Sequence, residues 1–182
     1  LAYWLLDPTP PRRVVMATGV AQGAYSEFGL RYAKRLERHG IRVELRNTQG
    51  AAENLALLRD PASGVDLAFV QGGAGDGAEG EALLSLGSMF YEPVWLFYRG
   101  DSAQRLLKQP RLERLAQLQG WRVNIGAAGS GVPALAAKLL EANRIDLAGI
   151  SLARQPVTPA VIELLEGRLD AIVLASAPES LI

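Results

Sequence analysis

One order of elements recurs along this sequence and restricts the folds open to it: short apolar strand, small-residue turn, amphipathic helix. Residues 12–17 read as a strand, with Val14, Val15 and Met16 almost continuous. Residues 19–24 are a turn of small residues. From Ala24 to His39 the apolar side chains Phe28, Tyr32 and Leu36 recur at fours, which is helical spacing, and Gly40 closes the helix. Residues 41–45 alternate cleanly and predict a half-buried strand. "NTQGAAENLALLRD" predicts a turn and a second helix stopped by Pro61, and residues 65–70 a third strand. Further on, 121–125 predict a strand, 133–143 a helix, 150–153 a short strand and 170–174 a last strand. Thr158 and Pro159 predict a helix start, with Thr as cap and Pro at the first helical position. Between the halves lie two apolar runs, 83–91 and 93–98, and a charged helical stretch over 101–118 interrupted at Pro110. Strands that alternate with helices predict an α/β fold with mostly parallel sheets, because parallel neighbours need a crossover between them.

The chain has 182 residues, enough for one large domain or two small lobes each with a core. Its formal charge is zero, which argues against a nucleic-acid surface. It has no cysteine, so disulfides and thiolate metal sites are excluded, and that usage suits an extracytoplasmic protein. A single histidine leaves little for a His-based triad or a zinc cluster. "LAYWLL" at the start is too short to span a bilayer, which takes about 20 apolar residues. It reads as the outer end of a longer apolar helix, with Tyr3 and Trp4 at the interface and a stiff proline spacer after them. A terminal strand packed on the body is the alternative.

The turn with the most chemistry is "GAAGSG", residues 126–131, between a strand and a helix. Its glycine spacing matches a P-loop, but Val132 and Pro133 stand where lysine and a hydroxyl residue should follow. Residues 129–134 also match G-x-G-x-x-A, yet a dinucleotide fold needs that turn after its first strand with several units downstream. Both nucleotide readings fail. What remains is a helix N-terminus with unpaired N–H groups, approachable through small residues and joined by the Ser130 hydroxyl. Such a loop holds a carboxylate as readily as a phosphate; a tight turn without ligand is the plain alternative. A second loop of the same form, residues 17–29, carries Thr18, Gln22, Tyr25 and Ser26. Gln71 ends the third strand. Carboxyl ends of parallel strands are where α/β proteins bind ligands, so these tips predict a shared cleft.

Taken in order, "MATGVAQGAYSEFGLRYAKRL", "VELRNTQGAAENLALLRD", "VDLAFVQGG", "YEPVWLFYR" and "LQGWRVNIGAAGSGVPALAAKLLEA" resemble the TAXI-type solute-binding proteins of TRAP transporters, which are type 2 periplasmic binding proteins. The resemblance covers residues 14 to about 174. It implies two α/β lobes joined by hinge strands with the ligand between them: an anchor or signal end and linker over 1–11, the first lobe over 12–98 and the second over 99–182. It implies a ligand that is a small carboxylate or amino acid, such as glutamate or glutamine, and TRAP membrane subunits as partners of a periplasmic, N-terminally tethered protein. Carried over by position, the ligand contacts are Thr18, Gly19, Gln22, Tyr25, Gln71, Tyr91, Ser130 and Gly131. No cofactor, metal or nucleic acid is implied. Departures are Val132, where the family has Thr, and Val20 and Ala21, where it has glycines. Family members also run on past Ile182, recrossing the hinge to complete the first lobe.

The residues themselves favour a binding protein over an enzyme, since no nucleophile, base and orienting group stand out together. An enzyme on the same bilobal fold and a ligand-sensing domain of a membrane-anchored signalling protein are the alternatives. Asp76, Glu79 and Glu81 read as a solvated glycine-rich loop, since their spacing fits no calcium-loop pattern, His39 as a helix-end residue, Trp95 as core or hinge packing, and Arg99 as a surface residue at a strand end or a bidentate partner for a ligand carboxylate.

Overall fold

The run Val14, Val15, Met16 becomes β1 (Arg13–Ala17), the central strand of a three-stranded sheet. The computed structural model describes residues 11–74 and 83–177. β1 lies between β2 (Arg42–Arg46) and β3 (Leu67–Ala68), and both pairings are parallel, with Met16 opposite Leu45 on one side and Leu67 on the other. Parallel neighbours need crossovers, and the helices α1 (Ala24–Glu37) and α2 (Ala51–Arg59) supply them. The third strand is shorter than the apolar run 65–70 predicts. Asp66 turns its carboxylate back to accept from the Val15 N–H at 2.8 Å, which leaves a brief ladder.

The second sheet has four strands in the order β4-β7-β5-β6. They are β4 (Val94–Tyr98), β5 (Arg122–Asn124), β6 (Ser151–Ala153) and β7 (Ala171–Ala175). β5 pairs in parallel with β6 and β7, and β4 runs antiparallel to β7. α3 (Gly100–Leu107), α4 (Val132–Ala142) and α5 (Val157–Leu165) flank this sheet. The larger core lies in this half. Trp121, Leu118, Val123, Ile125, Ala136, Leu140 and Ile150 are all buried there. A smaller cluster of Ala160, Leu169 and Ile172 sits beneath α5.

Three expectations change. The boundary drawn after Tyr98 puts β4 in the first lobe, whereas its hydrogen bonds run to β7 in the second sheet. Trp95 is not core: it is 49% exposed and stacked on Phe97 along the edge strand. Thr158 does not cap α5, which starts at Val157 after Pro156 with no side-chain cap. The stretch over 101–118 does break at Pro110, into α3 and a single 3-10 turn at Leu115–Leu118. Residues 1–10, with the proposed anchor, and Asp76, Glu79 and Glu81 lie outside the described residues. Among the described residues no helix is long and apolar enough to cross a membrane.

Candidate functional site

The carboxyl ends of β1, β2 and β3 are tied together by three buried polar side chains, Thr18, Thr48 and Asn54. Asn54 reaches up from α2. Its Nδ2 donates to the carbonyls of Thr18 and, at 2.8 Å, of Phe69. The Thr48 hydroxyl donates to Asn54 Oδ1 at 2.6 Å. The Thr18 hydroxyl donates to the Arg46 carbonyl at 3.2 Å, so this hydroxyl holds the first loop in shape from inside. One amide therefore serves the carbonyls of two strand ends, and the Thr48 hydroxyl, 3.2 Å from the Thr18 carbonyl, supports the first of them. Asn54→Ala takes the donor from the Phe69 carbonyl and leaves the Thr18 carbonyl only the Thr48 hydroxyl, which costs about 2 kcal/mol. The thermal midpoint should fall by roughly 4–8 °C, read by calorimetric or circular-dichroism melting. An unchanged midpoint would mean that water takes over the amide's role.

The glycine loop between β5 and α4 meets this platform directly. The Glu53 N–H donates to the Gly129 carbonyl at 3.2 Å. Glu53 Oε2 in turn accepts from the Gln49 N–H at 2.7 Å. Lys138 on α4 donates to the Gly73 carbonyl. Glycine is required at 129, where a Cβ would lie 2.5 Å from Gln49 Cβ; a Cβ on Gly131 would lie 3.1 Å from Ala51 Cβ and would displace the Gln71 side chain, whose Oε1 would be 2.3 Å away. The loop's glycines thus let the second lobe's helix end close on the first lobe. Gly131 is the N-cap of α4 and Gln71 Oε1 lies beside it; of the first helical residues Val132 and Ala134 carry N–H groups and Pro133 has none. The Gln71 side chain has no hydrogen-bond partner among the described residues. The Ser130 hydroxyl donates to the Ala127 carbonyl at 2.7 Å and keeps its lone pairs free.

On the other side of the first loop Tyr25 packs beneath Gly19, stacks on Phe69 at 5.5 Å and donates its hydroxyl to Glu92 Oε2 at 2.8 Å. Burial, then the Glu92 charge, pushes the phenol well above its usual range. Burial also raises the Glu92 carboxyl, against the opposing hydrogen bond from Tyr25. Tyr91 next to it is 92% exposed. Gln22 is exposed and has a left-handed backbone, φ 65°. Of the eight site residues inferred from the resemblance, the structure groups Gln71, Ser130 and Gly131 at the lobe junction and Gly19 with Tyr25 beside it. Thr18 lies beneath them, and Gln22 and Tyr91 face solvent.

Sequence reading missed Asn54, Thr48, Glu53 and Glu92. Glu92 had a signal, since it is the acid of the "YEP" motif. The others are polar residues in ordinary helix and turn positions. Arg99 is half-buried, its guanidinium bonded to Asp101 and to the carbonyls of Leu164 and Leu165 at the end of α5. Asn124, at the carboxyl end of β5, clamps the loop before α5: its Oδ1 accepts from the Gln155 N–H at 2.7 Å.

The profile of the NMT1-like family matches residues 16–182. No curated protein matches the sequence. Among solved structures the chain is similar to the alkanesulfonate-binding protein SsuA from Xanthomonas axonopodis pv. citri bound to MOPS, at 17% identity and a TM-score of 0.62, covering 92% of this chain and 56% of that one. It is similar to the amino acid ABC transporter substrate-binding protein AbpA from Streptococcus pneumoniae bound to L-arginine, at 18% identity and a TM-score of 0.55, covering 90% and 68%. It is also similar to the regulatory domain of CcmR from Synechocystis PCC6803 in complex with 2-PG, at 17% identity and a TM-score of 0.55, covering 93% and 74%. The fold is thus that of the periplasmic binding proteins, and the chain spans about half the length of the sulfonate-binding protein it matches.

Proposed function

This chain belongs to the NMT1-like family, and from that premise we propose that it forms the ligand-holding part of an extracytoplasmic solute-binding protein. In this reading it is of the TAXI type. It delivers a small carboxylate or amino-acid-like solute, glutamate or glutamine among them, to the membrane subunits of a TRAP transporter. An N-terminal tether over residues 1–11 would hold it at the membrane. The observation that carries the reading is the junction of Gln71 with Gly131: an unpartnered amide from one sheet meets the N-terminus of α4 from the other. A carboxylate there takes N–H groups from α4 and a hydrogen bond from the Gln71 amide, and the Ser130 hydroxyl turns from Ala127 toward it. A solute that touches both lobes binds their closed arrangement better than an open one, and that difference alone shifts the population. The protein acts by binding rather than by catalysis.

Isothermal calorimetry on the full-length protein, with amino acids, dicarboxylates, aliphatic sulfonates and sugars, tests this. Saturable binding of a carboxylate or amino acid is expected. Binding of sugars alone, or of no solute with an anionic group, contradicts it. The similarity to a regulatory domain favours a second reading, a ligand-sensing domain in a signalling protein. The two share the site and differ in what the rest of the polypeptide is: transporter partners in one case, an output module in the other.

A further inference from the structure

Glu92 is a half-buried carboxylate whose one hydrogen-bond partner among the described residues is the Tyr25 hydroxyl, with no lysine or arginine paired to it. Half-buried carboxylates are normally paired, because desolvation penalises the charge and a phenol returns only part of the loss. Around this carboxylate stands an aromatic group: Tyr25 stacks on Phe69, Phe90 lies 5.8 Å from Tyr25 and 6.2 Å from Phe69, and the exposed ring of Tyr91 is next in the chain. An unpaired negative charge beside aromatic rings is the chemistry that receives a cationic nitrogen. The position is equally specific. Tyr25 joins Glu92 at its hydroxyl end to Gly19 at its Cβ end, and Phe69 is two residues before Gln71, which touches Gly131. Gly19 in turn accepts from the Thr48 N–H at 3.3 Å, and Gly50, two residues on, lies against Ser130, so a run of contacts links Glu92 to the helix end that suits an anion.

We propose that Glu92 is a specificity-determining residue of the solute site, receiving a protonated amine or guanidinium of the ligand while the α4 N-terminus takes its anionic group. This rests on the reading above and narrows it: the solute is a zwitterion, and simple sulfonates and dicarboxylates are discriminated against. Glu92 compensates the amine's charge, and the Tyr25 hydroxyl fixes the carboxylate's orientation.

The test is calorimetry on the full-length protein with the L-amino acids, the 2-keto acids of the same carbon frames and short alkanesulfonates as probes. It uses the wild type, Glu92→Gln, Glu92→Asp and Tyr25→Phe. Glu92→Gln keeps the shape and can still accept from Tyr25, and its melting midpoint serves as the folding control. The expected result is that the wild type binds amino acids over the matching keto acids, that Glu92→Gln lowers amino-acid affinity roughly ten- to hundredfold, and that Glu92→Asp retains part of it. Keto-acid binding should not fall with the charge. If the wild type binds keto acids or sulfonates as well as amino acids and Glu92→Gln changes neither, the assignment of Glu92 is overturned while the solute-binding reading stands. If no probe binds the wild type, both fall.

Discussion

Replacing Asp170 with alanine is expected to lower stability by about 2–4 kcal/mol, the largest effect of any single substitution considered for this fold. Asp170 sits just before β7 and is 1% exposed. Its carboxylate accepts from the Ser102 hydroxyl at 2.6 Å, the Arg122 N–H at 2.9 Å, Arg122 Nε at 2.9 Å and Arg105 Nη2 at 2.7 Å. One side chain thereby fastens α3, β5 and β7. Removing one partner of a fully buried pair costs about 3–5 kcal/mol. Here the two guanidiniums are 57% and 41% exposed and can turn to water once the carboxylate is gone, so the lower range applies. What cannot move to water is the Arg122 N–H. Burial alone would raise the Asp170 carboxyl, but the Arg122 and Ser102 hydrogen bonds outweigh it and hold it far below the usual carboxylate range. Its folded value is depressed, so its charge-dependent contribution is complete above the unfolded value of about 3.9 and disappears as pH falls through the folded value. Denaturant titrations should show the gap between wild type and Asp170→Asn wide at neutral pH and closing below about pH 4. A gap that stays constant with pH would mean that packing, not charge, carries the network.

The second large effect concerns binding. Gln71→Ala should weaken the tightest-binding solute up to about a hundredfold and Ser130→Ala about tenfold, each in a protein with an unchanged melting midpoint. The two differ for a physical reason. The Gln71 amide has no partner to give up, so its hydrogen bond to a charged group is largely net gain. The Ser130 hydroxyl must leave the Ala127 carbonyl, 2.7 Å away, before it can serve the ligand. Calorimetry on the two variants and their combination decides the point. Equal affinity in all of them would place the solute elsewhere.

Much of this architecture is legible in the sequence because its elements are locally encoded. Phe28, Tyr32 and Leu36 at fours give α1, and the glycine loop before Val132 gives the start of α4. The meeting of Gln71 with the glycine loop follows from a general rule about the carboxyl ends of parallel strands, not from either motif alone. The failures are non-local. "VWLFY" is apolar throughout, so its pattern does not say which sheet takes it, and its partner β7 lies near the other end of the chain. Ser102, Arg105, Arg122 and Asp170 look like four unrelated polar residues until the fold gathers them. Thr158 and Pro159 form a good cap signal, but the helix already starts at Val157, one residue before Thr158, with Pro156 as its N-cap. Thr18 is among the ligand contacts that the resemblance implies, whereas in the fold its side chain is buried and its hydroxyl donates to the Arg46 carbonyl.

A crystal structure of the full-length protein grown with its tightest-binding solute tests the central claim most directly. The account predicts the solute's anionic group against the N-terminus of α4, with the Gln71 amide on one side of it and the Ser130 hydroxyl on the other. A solute bound away from this junction, with Gln71 still against Gly131 and no ligand between them, would contradict it.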